Sequence, residues 1–102
     1  MADAGPIPRQ TICDAIAIRH LLAYASAGTG ETRIVEPHAC GVTDDDHDVA
    51  LSWRRLAEGA GEWELVRLDE MRAVRILSVT FGAPRAGYNQ NDTRLREIYA
   101  QL

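Results

Sequence analysis

Leu21-Leu22-Ala23-Tyr24-Ala25-Ser26, then Ala27-Gly28-Thr29-Gly30, then Thr32-Arg33-Ile34-Val35-Glu36-Pro37-His38-Ala39-Cys40-Gly41 is the run whose reading decides the fold. Apolar, β-branched and aromatic residues flank a connector holding two glycines, the pattern of a β-hairpin. The first strand is expected over Leu21 to Ser26, the turn over Ala27 to Gly30 and the partner strand over Thr32 to Glu36. Pro37 has no N–H to give a ladder, so an edge or bend is expected there.

Working outward, Thr11 is placed to cap a short amphipathic helix that carries Ile12, Ala15 and Ile16 at helical spacing and ends near His20. Downstream, Thr43 to Asp48 reads as a polar turn. Val49, Leu51 and Trp53 then alternate with Ala50, Ser52 and Arg54 as in a half-buried strand. After a break at Glu58 to Gly61, a strand through Trp63, Leu65 and Arg67 is followed by a helical turn at Asp69 to Arg72 and a fifth strand at Ala73 to Val79. Gly82 to Gln90 is a connector rich in turn residues. Leu95, Ile98, Tyr99 and Leu102 fall at i, i+3, i+4 and i+7, which predicts a closing helix capped by Asn91 or Asp92. The expected architecture is mainly β with flanking helices (α+β): a small five-stranded barrel between an N-terminal and a C-terminal helix.

At 102 residues the chain holds one core, expected over residues 11–102 behind a flexible lead-in at 1–10. No apolar run reaches bilayer length, and the start lacks the pattern of a secretory signal, so a cytoplasmic protein without membrane contact is expected. In that compartment Cys13 and Cys40 are expected as reduced thiols. The net charge of -4 argues against nucleic-acid binding by overall attraction. All 11 basic residues are arginine. Schiff-base catalysis and the lysine of a phosphate-gripping loop are therefore excluded, and Ala27 to Thr32 only echoes a nucleotide loop.

His38 and Cys40, with His47 nearby, match no standard zinc spacing, and Asp44 to Asp48 lacks the glycine and distal glutamate of a calcium loop. No metal and no cofactor are expected. Cys40 or Glu36 beside His38 lacks an oriented base and an oxyanion donor, so no catalytic residue is assigned and the chain is not expected to be an enzyme. Tyr24, Arg33, Trp53, Arg54, Arg55 and Arg67 mix aromatic faces with guanidinium forks, a combination that suits bases and phosphates. The opposite reading stands beside it: the aromatics are core, and the arginines pair with the 15 carboxylates.

The wording Arg33-Ile34-Val35-Glu36-Pro37-His38, followed by Trp63-Glu64-Leu65-Val66-Arg67-Leu68-Asp69-Glu70-Met71, Phe81 and Gly82-Ala83-Pro84-Arg85-Ala86-Gly87-Tyr88-Asn89, resembles the WYL-domain family. The name-giving triplet falls at Val49-Ala50-Leu51, of which only the leucine is kept. The resemblance implies an Sm-like or SH3-like barrel and a role like that of bacterial transcription regulators, whose WYL part senses a ligand. It is nearest to stand-alone members without a helix-turn-helix module. It implies Arg33 and Arg67 as anion contacts, with Tyr24, His38 and Trp53 as further ligand-binding candidates, and Arg54 joins them from the guanidinium set. The expected function is a sensory module for a small anionic ligand, a nucleotide or a short single-stranded nucleic acid. The alternative is a protein-interaction or homo-oligomerisation module acting through barrel edges or the C-terminal helix.

Overall fold

The computed structural model describes residues 8–102. Of the expected lead-in, residues 1–7 lie outside the described residues, and Pro8 to Gln10 are helical. Helix α1 spans Pro8–Ile18, so Thr11 sits inside it rather than capping it. Proline is tolerated at a helix start because the first N–H groups have no intrahelical partner there. Arg19, with φ 57°, turns the chain out of the helix.

Six strands follow: β1 (His20–Ser26), β2 (Thr32–Val42), β3 (Asp48–Arg55), β4 (Gly61–Arg67), β5 (Met71–Thr80) and β6 (Glu97–Gln101). One-turn 3-10 helices, Ala57–Gly59 and Leu68–Glu70, join β3 to β4 and β4 to β5. All pairings are antiparallel, in the order β4-β3-β2-β1-β5, with β6 added to β2. The first hairpin is where the sequence predicts it, with Tyr24 opposite Arg33. Pro37 marks a register shift between Pro37 and Ala39, but β2 runs on to Val42.

The architecture departs from the expected one in three ways, the first being six strands rather than five. The sheet is open rather than a closed barrel, because β4 pairs only with β3, and β5 only with β1. The three residues of Leu68–Glu70 carry the chain from one edge strand to the other, so the sheet is strongly curled. Its hollow is filled by α1, with Ile12, Ala15 and Ile16 packed among Leu22, Tyr24, Val35, Leu68 and Met71.

The C-terminal helix is also absent: Glu97–Gln101 is strand β6. The reason lies in β2. On one side β2 pairs with β3 from Val35 to Val42, while on the other β1 reaches only Val35. The remaining backbone groups need a partner, and β6 supplies it opposite Ala39 to Val42. Backbone hydrogen-bond demand overrides a helical spacing of four apolar positions over residues 95–102.

Leu95 and Ile98 then join Ala39, Val49 and Leu51 in a second core on the outer face, beneath the loop that follows Phe81. Close approach of β6 to β2 depends on Gly41, where an added Cβ would meet the Glu97 carbonyl oxygen. Gly41→Ala is expected to lower stability by about 1–3 kcal/mol by overpacking. Urea unfolding of the variant checks this, and an unchanged midpoint would contradict the packing.

Candidate functional site

Strand alternation sorts the site residues between two faces. On the inner face, Tyr24 donates its hydroxyl to Glu64 Oε1 at 2.9 Å. Arg33 reaches Glu64 Oε2 at 3.4 Å and Glu31 at 3.2 Å. Arg54 bonds Glu31 at 3.1 Å and approaches Glu62 at 3.6 Å and Glu64 at 3.7 Å. The structure thus brings Tyr24, Arg33 and Arg54 together, as parts of one network with three carboxylates to two guanidinium groups. Burial pushes the Tyr24 hydroxyl pKa up, so it stays a donor. The net negative balance disfavours an anion at this place.

Arg67 stands apart at the end of β4, 46% exposed and paired with Asp69 at 2.6 Å. His38 is fully buried. Its Nδ1–H donates to the Glu36 carbonyl at 2.8 Å, and its Nε2 accepts the Arg85 N–H at 3.1 Å. Trp63, Phe81 and Tyr88 surround the ring at centroid distances of 4.9, 5.7 and 5.0 Å. Burial holds the imidazole pKa below its ordinary value. This is a neutral histidine with both nitrogens satisfied, pinning the loop after Phe81 to the sheet.

The outer face joins Arg55 of the guanidinium set to two residues not expected as ligand contacts, Glu36 and Arg85. Glu36, 2% exposed, lies in mid-β2. Arg85 grips it from the loop with Nε on Oε1 at 2.9 Å and Nη2 on Oε2 at 2.8 Å. Arg55, at the end of β3, adds Nε on Oε2 at 2.9 Å. Burial raises the carboxyl pKa, but the hydrogen bonds from Arg85 and Arg55 outweigh it, and the net shift is downward. Two guanidinium groups on one carboxylate leave one positive charge in excess. Both arginines are 40% exposed. Both Nη groups of Arg55 and Nη1 of Arg85 hold no partner among the described residues. Spare guanidinium N–H groups with excess charge are what an anion needs.

Trp53 lies alongside, with the Arg85 guanidinium carbon 5.3 Å from its ring centre and Trp63 edge-on at 5.3 Å. Its indole rests on Gly61, where a Cβ would collide with the ring. Elsewhere, a cleft beside Trp63 and Tyr88 includes Arg94, but Arg94 closes on Asp92 with two bonds and brings no excess charge. No group of histidine, cysteine or acidic residues among the described residues could hold a metal. No helix among them is long and apolar enough to cross a membrane.

No protein-family model matches the sequence, and no curated protein does. Among solved structures, the chain is similar to proteasome accessory factor B/C (PafBC) of Arthrobacter aurescens, with a TM-score of 0.67 at 20% sequence identity. The match covers 87% of this chain and 14% of that one, so this chain spans a small part of that protein's length. The likeness supports a WYL-like fold.

Two buried groups contribute to the acid response, alongside Asp45, Asp69 and Asp92, whose carboxyls are also held low by hydrogen bonds from their neighbours. His38 keeps its folded pKa below the ordinary 6.5, so the unfolded chain takes the proton first and stability starts to fall below about pH 6.5. Glu36 keeps its folded pKa below the ordinary 4.5, so its contribution is present above that value and is lost as pH falls through the folded one. Chemical denaturation across pH 3–8 is expected to show a decline in both windows. Glu36→Gln is expected to cost about 1.5–3 kcal/mol at pH 7 and to reduce the decline in the lower window. An unchanged lower window in this variant would contradict the assignment.

Proposed function

We propose that this domain is a ligand-sensing regulatory module that takes a small anionic ligand, within a class that includes nucleotides and the ends of short single strands, and performs no chemistry of its own. The observation that carries the reading is the excess guanidinium charge that Arg55 and Arg85 hold at the surface over Glu36. The WYL-like fold supports it, since the family resembled by the sequence uses this domain for sensing. Arg55 and Arg85 replace Arg33 and Arg67 as the leading anion contacts, because they share a single carboxylate, whereas Arg33 sits in a network with more carboxylates than guanidinium groups and Arg67 is matched by Asp69.

Anchoring matters to the mechanism. Glu36 fixes both guanidinium groups before the ligand arrives, which lowers the ordering cost of binding. An anion bridging them also ties the loop that carries Arg85 to the end of β3, so occupancy would stiffen the outer face. Binding in the presence of salt should weaken, since both arginines are partly exposed.

A second reading, protein interaction through a sheet edge, is favoured by β5, whose ten residues pair on one side only and expose Ile76 and Val79. The left-handed Ala73, φ 52°, sits at an irregularity in that ladder and blunts part of the edge.

Titration of the protein with inorganic phosphate, nucleoside monophosphates and short oligonucleotides, followed through Trp53 fluorescence, tests the first reading. Arg55→Gln is expected to weaken the ligand that binds by ten- to a hundredfold, the equivalent of a charge-assisted bond of about 1.5–3 kcal/mol. Full affinity in a folded Arg55→Gln protein would overturn it.

A further inference from the structure

Arg55 stands where several concavities meet. A polar one is bounded by Glu36, Arg85 and the Thr80 to Ala86 loop, and a small one by Gly59 and Ala60. The third is an open groove lined by Leu21, Ile34, Leu56, Leu77 and Val79, with Arg55 at its rim. The register explains the placement: Val35 pairs with Arg54, so Ile34 lies against Arg55 on the outer face, with Glu36 two residues further along β2. On the other side of Ile34, β1 contributes Leu21, and β5 contributes Leu77 and Val79. The apolar strip and the excess charge are thus continuous.

Ile34 and Leu56 are each 41% exposed and Val79 is 52% exposed. Clustered exposed aliphatics rimmed by polar groups mark binding surfaces. The chemistry of the lining is selective. Every side chain in the apolar part is aliphatic; the nearest aromatic rings lie outside it, Phe81 in the polar concavity and half-buried Trp53 against Trp63, Gly61 and Arg85. A nucleobase lying in this groove therefore finds no aromatic face to stack on. An alkyl chain finds a surface of its own kind.

We infer that the ligand of this site is an amphiphilic anion, an aliphatic body lying in the Ile34–Leu77–Val79 groove with a carboxylate or phosphate head on the spare N–H groups of Arg55 and Arg85. The inference rests on the anion-binding reading above and narrows it. The charge complementarity at one end of the groove sets the polarity of the ligand. The groove is open along its length, so a chain of medium length is held on one side and remains free to leave, as a sensor requires. Arg33 and Arg54, which also line the groove, are held by Glu31 and Glu64 and do not compete for the head group.

The test is a homologous series of n-alkyl carboxylates and n-alkyl phosphates from two to ten carbons, kept below micelle concentrations, with inorganic phosphate and adenosine monophosphate as head-group references. Binding is read by Trp53 fluorescence and thermal shift on the full chain, with light scattering alongside. Affinity is expected to rise about threefold to fourfold per methylene until the groove is filled, as for burial of aliphatic carbon. Val79→Asp, at an exposed position, is expected to abolish the dependence on chain length while phosphate still binds. Arg55→Gln is expected to weaken every member of the series by a similar factor. Equal affinity across the series, with inorganic phosphate bound as tightly as decyl phosphate, would overturn the amphiphile and leave the anion site standing. Adenosine monophosphate exceeding all alkyl phosphates would do the same. Silence toward every anion would overturn both. A mass that doubles with concentration and reverts in Val79→Asp would assign the groove to a second copy of the chain and also overturn the proposal.

Discussion

A carboxylate removed from water must have its charge answered, and Glu36 meets that demand from both sides: Arg55 from the end of β3 and Arg85 from the loop 49 residues further along the chain. The contact lies in the middle of β2, the strand on which β1, β3 and β6 are all built. Two residues on, His38 uses its remaining nitrogen to hold the Arg85 backbone. The loop after Phe81 is therefore tied to the sheet through side chain and main chain at once, and the second core under Leu95 is closed by the same attachment. Structural cohesion and the excess positive charge at the surface come from one arrangement. A hydrophobic residue at position 36 would pack there, but it would leave neither guanidinium oriented.

Arginine is suited to this task in a way lysine is not. The planar fork of Arg85 spends Nε and Nη2 on one carboxylate and still presents Nη1, and Arg55 spends Nε alone. An ammonium engaged with Glu36 would offer a single nitrogen to both partners. The same geometry works in the other direction in the Tyr24 network, where Glu31, Glu62 and Glu64 outnumber Arg33 and Arg54. Two clusters with the same residue types thus differ in the sign of their residual charge. That sign, set by how many carboxylates each strand register brings near, decides which face can attract an anion in a chain of net charge -4.

Much of the sheet is legible in the sequence because period-2 alternation and turn residues act locally. The hairpin through Gly28 and Gly30, the strand ending in Trp53-Arg54-Arg55 and the turn at Asp44 to Asp46 all fall where their composition puts them. The last strand is not legible, since Leu95, Ile98, Tyr99 and Leu102 fit a helix by spacing, and the unpaired stretch of β2 that recruits them exists only in three dimensions. Barrel closure fails for a related reason: counting strands does not reveal whether the first and last pair. At the site, Tyr24, Arg33 and Arg54 are found together, yet the partner carboxylates that neutralise them are spread from residue 31 to 64. Glu36 carries a readable signal, the one acid of β2, set between Val35 and Pro37, but nothing local links it to Arg85.

The most direct measurement is a set of arginine side-chain nitrogen spectra of the isotopically labelled protein, recorded while inorganic phosphate or an alkyl phosphate is added. Anion binding over Glu36 predicts that the Nη resonances of Arg55 and Arg85 move and sharpen, that their Nε resonances stay in place because Glu36 still holds them, and that those of Arg33, Arg54 and Arg67 remain fixed. Movement at Arg33, Arg54 or Arg67 with Arg55 and Arg85 unaffected would contradict it.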